Sequence, residues 1–186
     1  MTHWQELIAL FGRHGHLEYA GEAVSQWQHA WQCGQLARRA QVAPELQLAA
    51  WLHDIGHLLD GVVATPTLQG IDDRHEVRAA ALLEPWFGAA VVSPIALHVQ
   101  AKRYLVAVQP SYADGLSADS RRSLALQGGP MAPREQAHWR QQPHADDALR
   151  LRAWDDLAKD GDWWPVNREQ ARADLVALMA RCALKP

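Results

Sequence analysis

Almost nothing in this chain could staple it covalently. Its two cysteines, Cys33 and Cys182, form no CxxC pair in 186 residues. That excludes a disulfide framework, and reduced thiols in a cytoplasm are the expectation. No apolar run approaches the roughly 20 residues needed to cross a bilayer. The first residues, Thr2-His3-Trp4-Gln5-Glu6, lack the basic start and apolar core of a signal peptide. An excess of positive charge is missing too. Lys and Arg number 18 against 21 Asp and Glu, the formal net charge is −3, and no Lys/Arg block occurs. Neither nucleic acid nor membrane is therefore an expected partner. Strand signals are also scarce: Val62-Val63-Ala64 and Val91-Val92 are too short to count. There is no internal repeat and no low-complexity tail.

What is present is a helical pattern nearly throughout. Trp4, Leu7, Ile8 and Phe11 make one apolar stripe over residues 3–12, and a break follows from Gly12 to Gly15. A second helix is predicted over 24–40, with Ser25 near its start as a candidate N-cap. Pro44 suits the first turn of a third helix running to about Leu59, where Gly61 ends it before a loop to Gly70. A fourth runs from Asp72 or Asp73 to about Leu83, limited by Pro85. Pro94 suits the first turn of a fifth, which carries His98 and Lys102. Residues 109–134 read mostly as loop with one short helix near 117–126, and closing helices are predicted over 144–158 and 167–183. At 48% hydrophobic, the chain is long enough for one sizeable core, so a single all-α bundle spanning residues 1–186 is expected. Its nine tryptophans fit that core and its edges, the alternative being that one or two of them wall a ligand pocket.

The chemistry concentrates in His53-Asp54-Ile55-Gly56-His57. Neutral imidazole nitrogen and carboxylate oxygen suit iron, manganese, zinc and similar ions, and one carboxylate can bridge two of them. His29, His75, His98 and Asp155 sit on other predicted helices, so a bundle could bring them to the same point. His3, His14, His16, His138 and His144 find no place in that pattern.

The order His29, His53-Asp54, His75, His98, Asp155 resembles the HD-domain superfamily, most of which are metal-dependent phosphohydrolases. Further pieces are similar to its mixed-valent di-iron oxygenase branch, which includes myo-inositol oxygenase, and to the group that serves phosphonate catabolism. These are Tyr19-Ala20-Gly21-Glu22, Lys102-Arg103-Tyr104 and Leu124-Ala125-Leu126-Gln127-Gly128-Gly129-Pro130. The resemblance covers a core of about residues 19–159. It implies an Fe(II)/Fe(III) pair with O2 as co-substrate, one iron on His29, His53, Asp54 and Asp155 and the other on Asp54, His75 and His98. It also implies that Tyr19 and Glu22 form a lid that moves when substrate binds. The implied reaction cleaves the C–P bond of a 1-hydroxy-2-aminoalkylphosphonate, either 2-amino-1-hydroxyethylphosphonate or its N-methylated analogue. The products would be phosphate and glycine or an N-methylated glycine.

Spacing agrees with an anionic substrate. His57 follows His53 by four residues, Lys102 follows His98 by four, and Arg152 precedes Asp155 by three, so each ligand has a cation or donor on its own helix face. Lys102, Arg152, His57 and Ser120 are thus the expected phosphonate contacts. Glu22 would pair with a substrate ammonium, whereas a trimethylammonium would prefer an aromatic cage. The expected catalytic residues are Tyr19, Glu22, His57 and Lys102. A phosphohydrolase acting on a nucleotide or phosphate ester would use the same metal ligands, as would a non-enzymatic HD module, but neither gives a reason for Tyr19 and Glu22.

Overall fold

Helices form wherever an apolar stripe has a defined start. A computed structural model describes residues 4–19, 21–59 and 65–185. Within them lie α1 (Gln5–His14), α2 (Gln26–Arg39), α3 (Pro44–Leu52), α4 (His75–Leu83) and α5 (Ala89–Val108). α6 (Ala118–Leu126), α7 (Pro133–Trp139), α8 (Ala145–Leu157) and α9 (Arg168–Cys182) follow. No strand occurs among the described residues, only two isolated bridges, Glu18 with Ser25 and Phe87 with Ala183. Starts follow local chemistry. Ser25 Oγ accepts the Gln28 N–H, Ser117 Oγ accepts the Ser120 N–H, and Asn167 Oδ1 accepts the Gln170 N–H.

Three boundaries differ from expectation. α3 stops at Leu52, seven residues early, and the chain passes through Asp54 into a 3-10 turn, Ile55–Leu58. Periodicity cannot separate a tightened turn from a continuing α-helix. At this turn the backbone packs closely on the start of α4, where a Cβ on Gly56 would collide with the His75 carbonyl oxygen. α5 begins at Ala89, so Pro94 lies inside it instead of in its first turn. Gly88 supplies the extended start, accepting the N–H groups of Val91 and Val92, and burial of Val91 helps hold the extra turn. α7 interrupts the expected loop, because Pro133 fits the first turn and the Glu135 carboxylate accepts the Ala132 N–H at 2.8 Å. Val62-Val63-Ala64 and Gly61 lie outside the described residues.

α5 is the central element, packing on α3, α4 and α8, while α3 also meets α2 and α9. The main core is built from side chains such as Leu48, Leu52, Ile55, Leu83, Ile95 and Leu151. Most of the tryptophans serve packing: Trp27 lies between Phe11 and Trp51 at ring distances of 5.4 Å each, and Trp31 meets Trp163 at 5.2 Å. Two buried glutamines on α2 tie the end of α8 in place. Gln28 Nε2 donates to the carbonyls of Asp160, Gly161 and Trp163, and Gln32 Nε2 donates to those of Asp160 and Trp163. Gln32 Oε1 in turn accepts the Asp160 N–H.

The close approach of α2 to α3 suggests a test. A Cβ on Gly34 would run into the indole of buried Trp51. Gly34→Ala should therefore destabilise the fold by about 1–3 kcal/mol, the usual range for overpacking. Urea unfolding checks this, the expected result being a lower midpoint at unchanged slope.

Candidate metal centre

Six side chains that are polar and buried would each be costly alone. His29 comes from α2, His53 from the C-terminal cap of α3, and Asp54 from the residue after it. His75 opens α4, His98 lies on α5 and Asp155 on α8. All six are buried, none more than 8% exposed. The structure thus brings together every one of the six residues singled out as ligands from the sequence.

Each imidazole is aimed by the bond its Nδ1 makes. Nδ1 of His29 meets the Ala158 carbonyl at 2.9 Å, that of His53 the Ala50 carbonyl at 3.0 Å, and that of His98 the Ile95 carbonyl at 2.7 Å. Nδ1 of His75 meets Asp73 Oδ1 at 3.1 Å. A carbonyl or carboxylate partner requires a proton on Nδ1, so it is the Nε2 atom of all four that faces inward. They converge in two pairs, His29 with His53 at 3.3 Å and His75 with His98 at 3.1 Å.

Asp54 divides these pairs between its oxygens. Oδ2 lies 3.5 Å from His29 Nε2 and 3.3 Å from His53 Nε2. Oδ1 lies 3.4 Å from His75 Nε2 and 3.7 Å from His98 Nε2. Asp155 Oδ1 joins the first pair, 3.5 Å from His29 Nε2. Two donor sets result, His29/His53/Asp54/Asp155 and Asp54/His75/His98, sharing one carboxylate. Asp54 Oδ1 is buried without a hydrogen-bond partner, a state that a bound cation relieves. This donor chemistry fits two divalent metal ions.

The electrostatics carry the same demand for positive charge. Burial raises both carboxyls, but His53 holds Asp54, and Arg152 holds Asp155, well below the usual carboxylate range. Burial disfavours imidazolium at His53, yet Asp54 and Asp155 bring its pKa up to about 10. His98 goes the other way, lowered by burial and by His75 and His53.

Around this cluster sit the other expected residues. The Tyr19 hydroxyl donates to Asp54 Oδ2 at 2.8 Å and to Asp155 Oδ1 at 3.2 Å, and its ring stacks on His29 at 3.8 Å. Burial and the two carboxylates raise its pKa, so it remains a donor. His57 does not share a helix face with His53, because α3 has ended; it lies in the 3-10 turn, stacked on His75 at 4.1 Å. Its Nδ1 meets Asp73 Oδ2 at 2.6 Å. Arg152 donates to Asp155 Oδ2 at 2.6 Å and further to Asp156 and Tyr112. Lys102 Nζ donates to Ser123 Oγ at 2.7 Å, and burial, with Arg152 nearby, pushes its pKa down to about 7. Ser120 is buried and borders a cavity of about 160 Å³, which Tyr19, His57, Lys102 and Arg152 also line. Glu22 lies apart from that lining, paired with Lys159 at 3.0 Å.

Two contributors escaped the sequence reading. Asp73 was read as a helix start, but it orients both His57 and His75, and those two imidazoles hold its pKa low against the effect of burial. Lys159 gave no signal at all, being one ordinary lysine past the end of a helix. Asp73→Asn should weaken metal binding at the His75/His98 side by about 10- to 100-fold, the usual cost of losing such an orienting partner. Metal titration followed by elemental analysis reads this, with Asp72→Asn as the control that retains affinity.

Comparison with known proteins supplies the lineage. The HD domain family profile matches residues 27–158. A hydroxymethylphosphonate dioxygenase of Gimesia maris is 45% identical over 154 residues, covering 82% of this chain and 76% of that protein. A [1-hydroxy-2-(trimethylamino)ethyl]phosphonate dioxygenase (glycine-betaine-forming) of Leisingera caerulea is 36% identical, covering 82% and 78%. An uncharacterised protein of Acanthamoeba polyphaga mimivirus is 33% identical over 157 residues, covering 82% and 71%. With its all-helical frame and its buried His/Asp cluster, the chain belongs to the HD-domain family, among the relatives of the phosphonate dioxygenases.

Proposed function

We propose that this protein is a di-iron oxygenase that cleaves the C–P bond of a small 1-hydroxyalkylphosphonate. His29, His53, Asp54 and Asp155 would hold one iron, and Asp54, His75 and His98 the other. One observation carries the reading: a cluster fit for two metal ions opens onto a cavity lined by the cations Lys102 and Arg152. The named relatives support it, since both act on hydroxyphosphonates by their names. Iron bound in the cluster would supply the redox chemistry with dioxygen and Lewis acidity toward the substrate oxygens.

The net change breaks the C1–H and C–P bonds. One oxygen atom of O2 ends on carbon, completing a carboxylic acid, and the other ends on phosphorus as phosphate. The chain's own residues bind and orient. Lys102 offers the phosphonate an ammonium held by Ser123, with Ser120 and His57 as further hydrogen-bonding groups on the cavity wall. Arg152 is already committed to Asp155 and Asp156, so it contributes charge to the anion while fixing the Asp155 carboxylate. Tyr19 covers the cluster on the Asp54/Asp155 side, and substrate would have to displace its hydroxyl to reach those carboxylates. A trimethylammonium group would find no tryptophan in the cavity wall among the described residues.

The reading predicts oxygen-dependent phosphate release from hydroxymethylphosphonate by anaerobically purified, iron-loaded protein, and Asp54→Ala should abolish it. Phosphorus NMR with and without oxygen decides the matter. Equal release in both conditions would instead indicate a hydrolase.

A second prediction concerns pH. With the Lys102 pKa near 7, its ammonium is progressively lost above neutrality, so phosphonate affinity should fall as pH rises through that point. Binding favours the charged lysine and so takes up a proton in the same window. Lys102→Arg, which stays charged, should flatten the profile. Calorimetric titration on both sides of neutrality measures it.

A further inference from the structure

The segment bearing Tyr19 is pinned by a cation from the protein itself. The Glu22 N–H donates to the Tyr19 carbonyl at 2.8 Å, and the Tyr19 N–H donates to the Val24 carbonyl at 2.9 Å. Together with the Glu18–Ser25 bridge these bonds hold Glu18 and Tyr19 against Glu22, Val24 and Ser25. Lys159 follows α8 directly. Its Nζ donates to Glu22 Oε1 at 3.0 Å and to Ser117 Oγ at 3.3 Å, and stands 5.9 Å from the centre of the Tyr19 ring. The side chains of Lys159 and Glu22 are 16% and 20% exposed, so water screens this pair less than an ordinary surface pair. Both anchored elements border the cavity, one through Tyr19 and the other through Ser120.

Glu22 lies off the cavity wall but is bonded to Tyr19, which lines it, and its carboxylate is the group a substrate ammonium would seek. Here it already has an ammonium, tethered to the chain. A second ammonium brought to Glu22 would have to displace Lys159 and would meet its like charge. We propose that Lys159 is a specificity-determining residue: it takes the place of a substrate amine at Glu22. The protein is thereby set for 1-hydroxyphosphonates whose carbon carries hydrogen or an uncharged group. This rests on the phosphonate reading given above. Two observations agree with it, for Glu22 does not line the cavity among the described residues, and no tryptophan there could cage a methylated amine.

The test is equilibrium binding to iron-loaded protein without oxygen, so that no turnover is needed. The ligands are hydroxymethylphosphonate and 2-amino-1-hydroxyethylphosphonate, and the readout is the ratio of their dissociation constants. Wild-type protein should prefer the uncharged ligand. Lys159→Met should shift the ratio toward the aminated ligand by about tenfold, as expected for a freed carboxylate gaining a charge-assisted partner. Lys159→Arg should keep the wild-type ratio. Glu22→Gln offers a second route that does not depend on folding of the methionine variant, and it too should leave the ratio unchanged. A wild-type preference for the aminated ligand overturns the proposal. So does a ratio unmoved by Lys159→Met in folded protein, a selective loss of aminated-ligand affinity in Glu22→Gln, or failure of both ligands to bind. Phosphate release under oxygen is scored separately: selective binding without oxygen-dependent release would sink the oxygenase reading alone.

Discussion

The two oxygens of Asp54 face different histidine pairs, and the centre takes its form from that division. Oδ2 belongs with His29, His53 and Asp155, and Oδ1 with His75 and His98. The geometry depends on α3 ending where it does. Had the helix continued past Leu52, Asp54 could not leave it in the conformation seen, and Gly56 could not press against the His75 backbone. Ending the helix therefore costs regular hydrogen bonding in one turn and places the shared Asp54 carboxylate and the start of α4 together. The backbone carbonyls of Ala50, Ile95 and Ala158, with the Asp73 carboxylate, then set the four imidazoles.

Charge is layered outward from this point. Two ionised carboxylates lie innermost, and Arg152 braces one of them from behind while itself being held by Asp156 and Tyr112. Lys102 stands farther along the cavity, close to the balance between its charged and neutral forms. Such a lysine imposes less electrostatic cost on the empty cavity than a fixed cation would, yet gains full charge when an anion arrives. Tyr19 is the polar cover of the cluster, its hydroxyl shared by the two carboxylates.

The gathering of His29, His53, Asp54, His75, His98 and Asp155 was legible in the sequence because imidazoles and carboxylates on successive helices form a pattern that packing alone gives no reason to produce. The helical class was legible from the spacing of Trp4, Leu7, Ile8 and Phe11 and the stripes that follow. Other features depend on contacts between distant segments. The sequence around Gly56 reads as continuing helix, and its close approach to the His75 backbone belongs to the tertiary fold. Pro94 looks like a helix start, yet the turn before it is held by Gly88 and Val91. Asp73 and Lys159 carry no local motif, and the one acts through two histidines while the other acts across 137 residues on Glu22.

Gln28 and Gln32 give α2 a grip on the stretch just beyond α8, and His29 between them holds the Ala158 carbonyl. The same short length of α2 thus anchors the segment from which Lys159 projects and presents an imidazole to the centre. A mutation that loosened this glutamine collar would reach the His/Asp cluster and the Tyr19 segment together, by one mechanical route. The tip of Lys159 can therefore change without disturbing that joint, whereas a change in the joint moves everything it carries.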